Sequence, residues 1–150
     1  PAPAATAHPA DLRRRAAMDS VEMTVRTGSN LVTDLTDDLE GFCSGRGDGL
    51  VHVFVPHATA GLALMETGSG SERDLAGAID RLLPRADVYA HRHGSTGHGR
   101  DHVLPAFVAP SLTVPVIGGR PALGTWQSLV LVDSNGDNPV RTVRLSFLPG

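Results

Sequence analysis

The stretch SLTVPVIGGRPALGTWQSLVLVDSNGDNPVRTVRLSFL, residues 111–148, decides the fold class because it predicts three consecutive β-strands. Gly118 and Gly119 separate the first strand from the second, and the turn-forming cluster SNGDN at 134–138 separates the second from the third. In QSLVLV (127–132) apolar and polar residues do not alternate, so we expect this strand to be buried on both faces. The pattern favours a largely antiparallel sheet.

Three earlier segments add further strands. Apolar residues alternate with polar ones over 20–27, which is typical of a half-buried strand. β-Branched and apolar residues predict a second strand over 49–55, which Pro56 ends, and a third over 58–66.

Two segments predict the main helices. Apolar residues at helical spacing predict a helix over 30–43, and the clearest helix covers 71–83, where Ser71 and Asp74 form a capping pattern. Together with the strands they predict one α+β domain, a mostly antiparallel β-sheet sandwich with two main helices.

The N-terminal residues differ from the rest. Residues 1–18 are rich in Ala and Pro and contain a short Arg run, a composition typical of a flexible tail. We therefore expect the folded domain to cover residues 19–150.

Composition excludes several function classes. The net charge of −3 argues against a generally basic surface for binding nucleic acid. All 13 basic residues are Arg, and the absence of Lys excludes a Walker-type phosphate loop and a Schiff-base lysine. No apolar run reaches the roughly 20 residues of a membrane helix. Cys43, the single cysteine, cannot form an internal disulfide. We expect a cytoplasmic protein with no nucleic-acid or membrane partner.

Histidine is the residue type in excess. Of seven histidines, four lie between residues 91 and 102, in or beside a polar loop that spans 85–101. Such a long polar loop is typical of a functional segment or a disordered one. His98 precedes His102 by four residues, a ligand spacing on a helix, but the glycine between them disfavours a helix there. We expect His93 and His98 to be solvated residues of the loop.

Several motifs resemble one family in order and spacing. SLTVPVIGGRPALGTWQSLVLVD (111–133) closely resembles the signature of the YjbQ-like family, also called secondary thiamine-phosphate synthases. Upstream, VFVPHATAGLALMET (53–67) resembles its strand–HTTA–strand segment, and Tyr89 with His91 resembles its Tyr-x-His element. His102 follows His91 by eleven residues, which is the family's spacing.

The resemblance implies a YjbQ-like fold, assembly as a homotrimer and a site of four catalytic residues, His57, Glu66, His91 and His102. It implies that the three histidines hold a divalent metal. Imidazole ligands with an open coordination position are typical of catalytic Zn²⁺, which we expect, with Mg²⁺ as the alternative. For two of these residues a structural role stays open as an alternative: His57 hydrogen-bonds turn amides, and Glu66 is a solvated carboxylate.

Gln127, Trp126 and Arg120 are the candidate ligand-binding residues of the signature region. Each has a structural alternative, and for Trp126 this is an anchor in the core or at a subunit interface. We expect the ligand to be a small phosphorylated molecule.

One departure from the family pattern affects the outer part of the site. The acidic pair expected between the two loop histidines falls on Gly97 and His98, and whether this abolishes activity stays open. The resemblance thus implies a protein of poorly defined function. We expect a metal-dependent enzyme with weak thiamine-phosphate synthase activity on small phosphorylated substrates. The alternative is a non-catalytic trimeric protein that binds a metal or a phosphorylated metabolite.

Overall fold

The structure, a computed structural model, describes residues 18–86, 88–91 and 93–150. Apart from Met18, the predicted N-terminal tail lies outside the described residues. No helix in the described part of the chain is both long and apolar enough to cross a membrane.

The described residues form eight strands, two α-helices and two 3₁₀ turns, joined by loops. In chain order they are β1 (Asp19–Arg26), β2 (Val32–Asp34), α1 (Thr36–Cys43), β3 (Gly49–Phe54), β4 (Ala60–Met65), α2 (Ser71–Leu82), the 3₁₀ turns His98–Arg100 and Leu104–Ala106, β5 (Ser111–Ile117), β6 (Arg120–Pro121), β7 (Ser128–Asp133) and β8 (Val140–Pro149).

The strands form two antiparallel sheets, in the orders β1-β8-β3-β5-β6 and β2-β7-β4. The main core lies between them, with α1 at one side. It consists largely of aliphatic side chains from both sheets and the helix, among them Leu39, Val51, Val53, Val114, Leu131 and Leu145. This confirms the predicted α+β sandwich with two main helices.

β7 is buried on both faces, as its uninterrupted apolar sequence predicts. Leu129 and Leu131 face the main core, whereas Val130 and Val132 face a second cluster that includes Ile79 of α2. Because α2 covers the outer face of the three-stranded sheet, the four consecutive side chains 129–132 of β7 all have apolar neighbours, and alternation is lost.

The helix predicted over 30–43 is wrong in its first half. Val32–Asp34 forms β2, in which Val32 pairs with Val132 of β7, and the helix begins only at Thr36. Strand pairing at this sheet edge outweighs the local helical spacing of apolar residues.

Two other local predictions are also wrong. Residues 122–127, expected in a strand, form a turn in which the Gly124 amide donates to Oε1 of Gln127. Helix α2 has no side-chain cap: Gly70, in a left-handed conformation, precedes it and Ser71 is its first residue.

Candidate functional site

Four histidines converge near the end of the polar loop: His91, His93, His98 and His102, hereafter the histidine cluster. One ring nitrogen of each lies within 4.8 Å of those of the others. Nε2 of His98 and Nε2 of His102 are 2.8 Å apart, and the ring centres of His91 and His102 are 4.1 Å apart. Three of the four, His91, His93 and His98, line a cleft of about 140 Å³.

Glycine turns and one buried arginine shape this segment. Gly94 and Gly97 have positive φ angles of 83° and 82°, and a Cβ on Gly94 would lie 2.7 Å from Cγ of His98. The loop therefore folds back closely over the His98 ring only because glycine stands there. Buried Arg100 ties the first 3₁₀ turn to α2 through a 2.6 Å contact with Asp80.

Carboxylates surround the side of His98 that faces away from His102. Nδ1 of His98 lies 3.1 Å from Oδ2 of Asp137 and 3.8 Å from Oδ2 of Asp101. Asp101 is buried and accepts a hydrogen bond from Ser134. Hydrogen bonds donated by Ser95 hold the pKa of Asp137 below its usual range.

The cluster suits a transition metal. Nε2 of His91 is buried and has no hydrogen-bond partner among the described residues. Burial, reinforced by the neighbouring imidazoles, lowers the pKa of His91 and of His102. Both rings are therefore neutral near pH 7, the state that binds metal.

The spacing of the ring nitrogens is close to what an ion requires. Nitrogens at 2.0–2.1 Å from a tetrahedral ion are about 3.3 Å apart. The four ring nitrogens lie within 4.8 Å of one another, so small side-chain rotations would bring them to that spacing.

His57 lies elsewhere in the described structure and is not part of the cluster. It follows β3, which ends at Phe54, and its Nε2 accepts a 2.9 Å hydrogen bond from the backbone amide of Thr142. The ring thereby takes the place of a strand partner for β8 beyond the end of β3. Burial, then the charge of Arg141, lowers the pKa of His57, which favours the neutral acceptor seen here.

A buried ion pair lies next to His57. Nε of Arg141 is 2.6 Å from Oδ2 of Asp133, and their side chains are only 2% and 1% exposed. The same guanidinium donates to Thr59, whose hydroxyl also accepts from Asn135. Sequence reasoning did not select this pair. The sequence did contain a signal for it, because in the alternating pattern of β8 Arg141 falls on the same face as the apolar core residues.

The remaining predicted site residues are spread over the surface. Glu66 is exposed and accepts a hydrogen bond from Ser69, and the structure does not bring it into the cluster. Trp126 is 74% exposed and Gln127 accepts from the Gly124 amide. Arg120 lines a separate cleft of about 430 Å³ beside α1, to which no member of the cluster contributes.

Of the predicted metal ligands, the structure thus brings together His91 and His102, and it adds His93 and His98. The expectation that His98 is solvated is wrong, because its side chain is only 8% exposed, whereas His93 is exposed. The four-residue spacing of His98 and His102 was the available signal. A 3₁₀ turn, which tolerates the intervening glycine, places the two rings together.

Fold and site together define an α+β sandwich protein with a candidate metal centre. The sequence profile described as UPF0047 protein YjbQ-like matches residues 21–150. The chain therefore belongs to the YjbQ-like UPF0047 family.

Known relatives agree with this assignment. A UPF0047 protein of Mycobacterium tuberculosis is 62% identical over 133 residues, covering 89% of this chain and all of the relative. A UPF0047 protein of Archaeoglobus fulgidus is 31% identical over 82% of this chain and 97% of its own length.

Solved structures show the same fold. A hypothetical protein of Aeropyrum pernix matches with a TM-score of 0.80 and 31% identity, covering 88% of this chain and 99% of its own. A YbjQ-like protein of unknown function from Sulfolobus solfataricus matches with a TM-score of 0.81 at 24% identity, covering 89% and 98% of the two chains.

Proposed function

We propose that the protein is a metal-dependent enzyme that acts on a small phosphorylated molecule, with the histidine cluster as its metal site. The observation that carries this proposal is the convergence of four imidazoles around a buried, unpartnered Nε2 of His91 among the described residues. An all-nitrogen ligand set suits Zn²⁺ or a similar transition metal and makes Mg²⁺, which prefers oxygen ligands, the less suitable ion.

The chain's own residues have distinct parts in this proposal. A bound divalent ion would act as a Lewis acid towards a substrate oxygen. The lowered pKa values of His91 and His102 keep both rings unprotonated and available near pH 7. His57 and Glu66, predicted as catalytic, lie outside the cluster, and their part in catalysis stays a prediction. The ligand contacts of Trp126, Gln127 and Arg120 likewise stay predictions, each to be tested by substitution.

The proposal also covers the class of substrate and the reaction. Since the chain has no Lys, phosphate contacts fall to arginine. Thiamine-phosphate synthase activity is proposed as a weak side activity, because diphosphate chemistry is usually assisted by Mg²⁺ on carboxylates and this cluster is made of imidazoles.

We further propose that the protein works as a homotrimer in the cytoplasm. Apolar side chains on the outer face of the five-stranded sheet support self-association: Leu50 and Leu148 are paired across β3 and β8, and exposed Ile117 extends the patch. The single buried thiol of Cys43 is compatible with a reducing compartment.

A non-catalytic trimeric protein that binds a metal or a phosphorylated metabolite is the second candidate. It is supported by the direction of the nearest carboxylates. Asp101 and Asp137 face Nδ1 of His98 and serine hydroxyls, so the cleft at the cluster has no carboxylate positioned as a general base among its lining residues.

Metal content by mass spectrometry, on protein purified without chelator or added metal, tests the proposal. We expect about one zinc-like ion per chain, lost in His91→Ala and in His102→Ala. His52→Ala is the matched control, because His52 lies on the sheet and contacts Thr113. Metal-free protein, unable to take up added zinc, would contradict the metal site. A loaded protein that binds phosphorylated compounds without turnover would support the binding module instead.

A further inference from the structure

We infer that Asp137 is a positioning residue of the metal site, which holds Nδ1 of His98 and thereby directs Nε2 of that ring to the metal. This inference rests on the proposed function. The sequence marks Asp137 only as part of the turn cluster SNGDN, and the family resemblance gives it no role.

The first step of the argument is the state of His98. Its buried Nδ1 lies between the carboxylates of Asp137, at 3.1 Å, and Asp101, at 3.8 Å, and makes no well-aligned hydrogen bond. Carboxylates only accept hydrogen bonds, so Nδ1 is the nitrogen that carries the proton. The lone pair of a neutral ring is then on Nε2, which points at His102 at 2.8 Å.

The second step is the rigid placement of Asp137 itself. Its Oδ2 accepts from both the amide and the hydroxyl of Ser95, at 3.2 and 3.1 Å. Its own backbone amide donates at 2.8 Å to Oδ1 of Asn135, and Nδ2 of the same asparagine donates to Thr59. The carboxylate of Asp137 thus links the turn between β7 and β8 to the histidine loop, beside the hydrogen bond from Ser134 to Asp101.

The third step separates Asp137 from Asp101. Asp101 is farther from Nδ1 and already accepts a hydrogen bond from Ser134, and it lies beside the guanidinium of Arg100. Asp137 has no arginine partner among the described residues, and its carboxylate faces Nδ1 of His98. A histidine ligand usually donates its second nitrogen to such a carboxylate, and losing that partner weakens metal binding about 10–100-fold.

Asp137→Asn tests the inference, with Asp38→Asn as the matched control. Asp38 is an exposed acid on α1, so its replacement makes the same change in charge away from the cluster. Zinc affinity is measured by competition with a chromophoric chelator, and coordination by the visible spectrum of the Co²⁺ form. We expect about 10–100-fold weaker zinc binding and an altered Co²⁺ spectrum in Asp137→Asn, and neither change in the control.

Ser95→Ala leaves the Asp137 carboxylate in place and removes only the hydrogen bond from the Ser95 hydroxyl. It provides the test if Asp137→Asn does not fold. We expect a smaller loss of affinity, several-fold, with the metal-free melting temperature close to wild type. Unchanged affinity and Co²⁺ spectra in the variants, with or without lower metal-free stability, would overturn the inference. Failure of the wild-type protein to bind zinc would instead refute the proposed function.

Discussion

Replacing Arg141 by Met is expected to cause a large loss of stability that the same change at Arg144 does not. The Arg141 guanidinium is 2% exposed and contacts Asp133 through two nitrogens, at 2.6 and 3.2 Å. Without the guanidinium, the Asp133 carboxylate stays buried with only neutral donors: the backbone amide of Asn135 at 3.0 Å and the hydroxyl of Thr27 at 3.5 Å.

The magnitude follows from this uncompensated charge. Breaking one side of a buried ion pair costs about 3–5 kcal/mol, equivalent for a chain of this size to a fall in Tm of about 6–20 °C. Arg144, on the opposite and exposed face of β8, pairs with Glu22 of the neighbouring strand β1, where an ion pair contributes about 0–1 kcal/mol.

Urea unfolding of both variants at pH 7, followed by circular dichroism, measures the difference. Equal losses in Arg141→Met and Arg144→Met would refute the assignment of a buried, mutually dependent pair. A double variant, Arg141→Met with Asp133→Leu, separates charge burial from packing. Since replacing both partners removes the unpaired charge, it is expected to recover much of the lost stability.

Three further predictions concern the site. His57→Ala removes the acceptor of a β8 amide and is expected to lower the free energy of unfolding in urea by about 1–3 kcal/mol. Its zinc content should stay unchanged, and a loss of zinc would show that His57 is a metal ligand after all. Because the pKa values of His91 and His102 are lowered, the unfolded chain binds protons first as the pH falls through about 6.5. Metal-free protein is therefore expected to be less stable at pH 5.5 than at pH 8, and a His91→Ala/His102→Ala variant should show a flatter profile. Gly94→Ala and Gly68→Ala both place alanine at positive φ, but only at Gly94 does the new Cβ meet a cluster ring, at 2.7 Å. The positive φ is expected to cost each variant about 1 kcal/mol of stability, and Gly94→Ala loses more because of this contact. Only Gly94→Ala should weaken zinc binding in the chelator assay.

Sequence patterns predicted the fold class wherever burial alone controls the choice of residues. The uninterrupted apolar run in β7 predicted burial on both faces, which the structure shows. The alternation in β1 predicted a half-buried strand, and there Val25 is buried and Met23 half-buried, but Val21 is exposed. The patterns failed at Val32–Asp34, where helical spacing and strand pairing compete. There the partner strand, about 100 residues away in the chain, decides the outcome, and no local window contains it.

For the site, the sequence by itself determined which chemistry is available: seven histidines, no lysine, and four of the histidines within one polar loop. It singled out His91 and His102 through their family spacing. Only the tertiary structure decided that His98 joins them and that His57 instead caps a β8 amide. The physical reason is that side-chain direction depends on the backbone path of the loop. Glycine turns and a carboxylate from a distant turn set that path, and their effect has no periodic signature in the sequence.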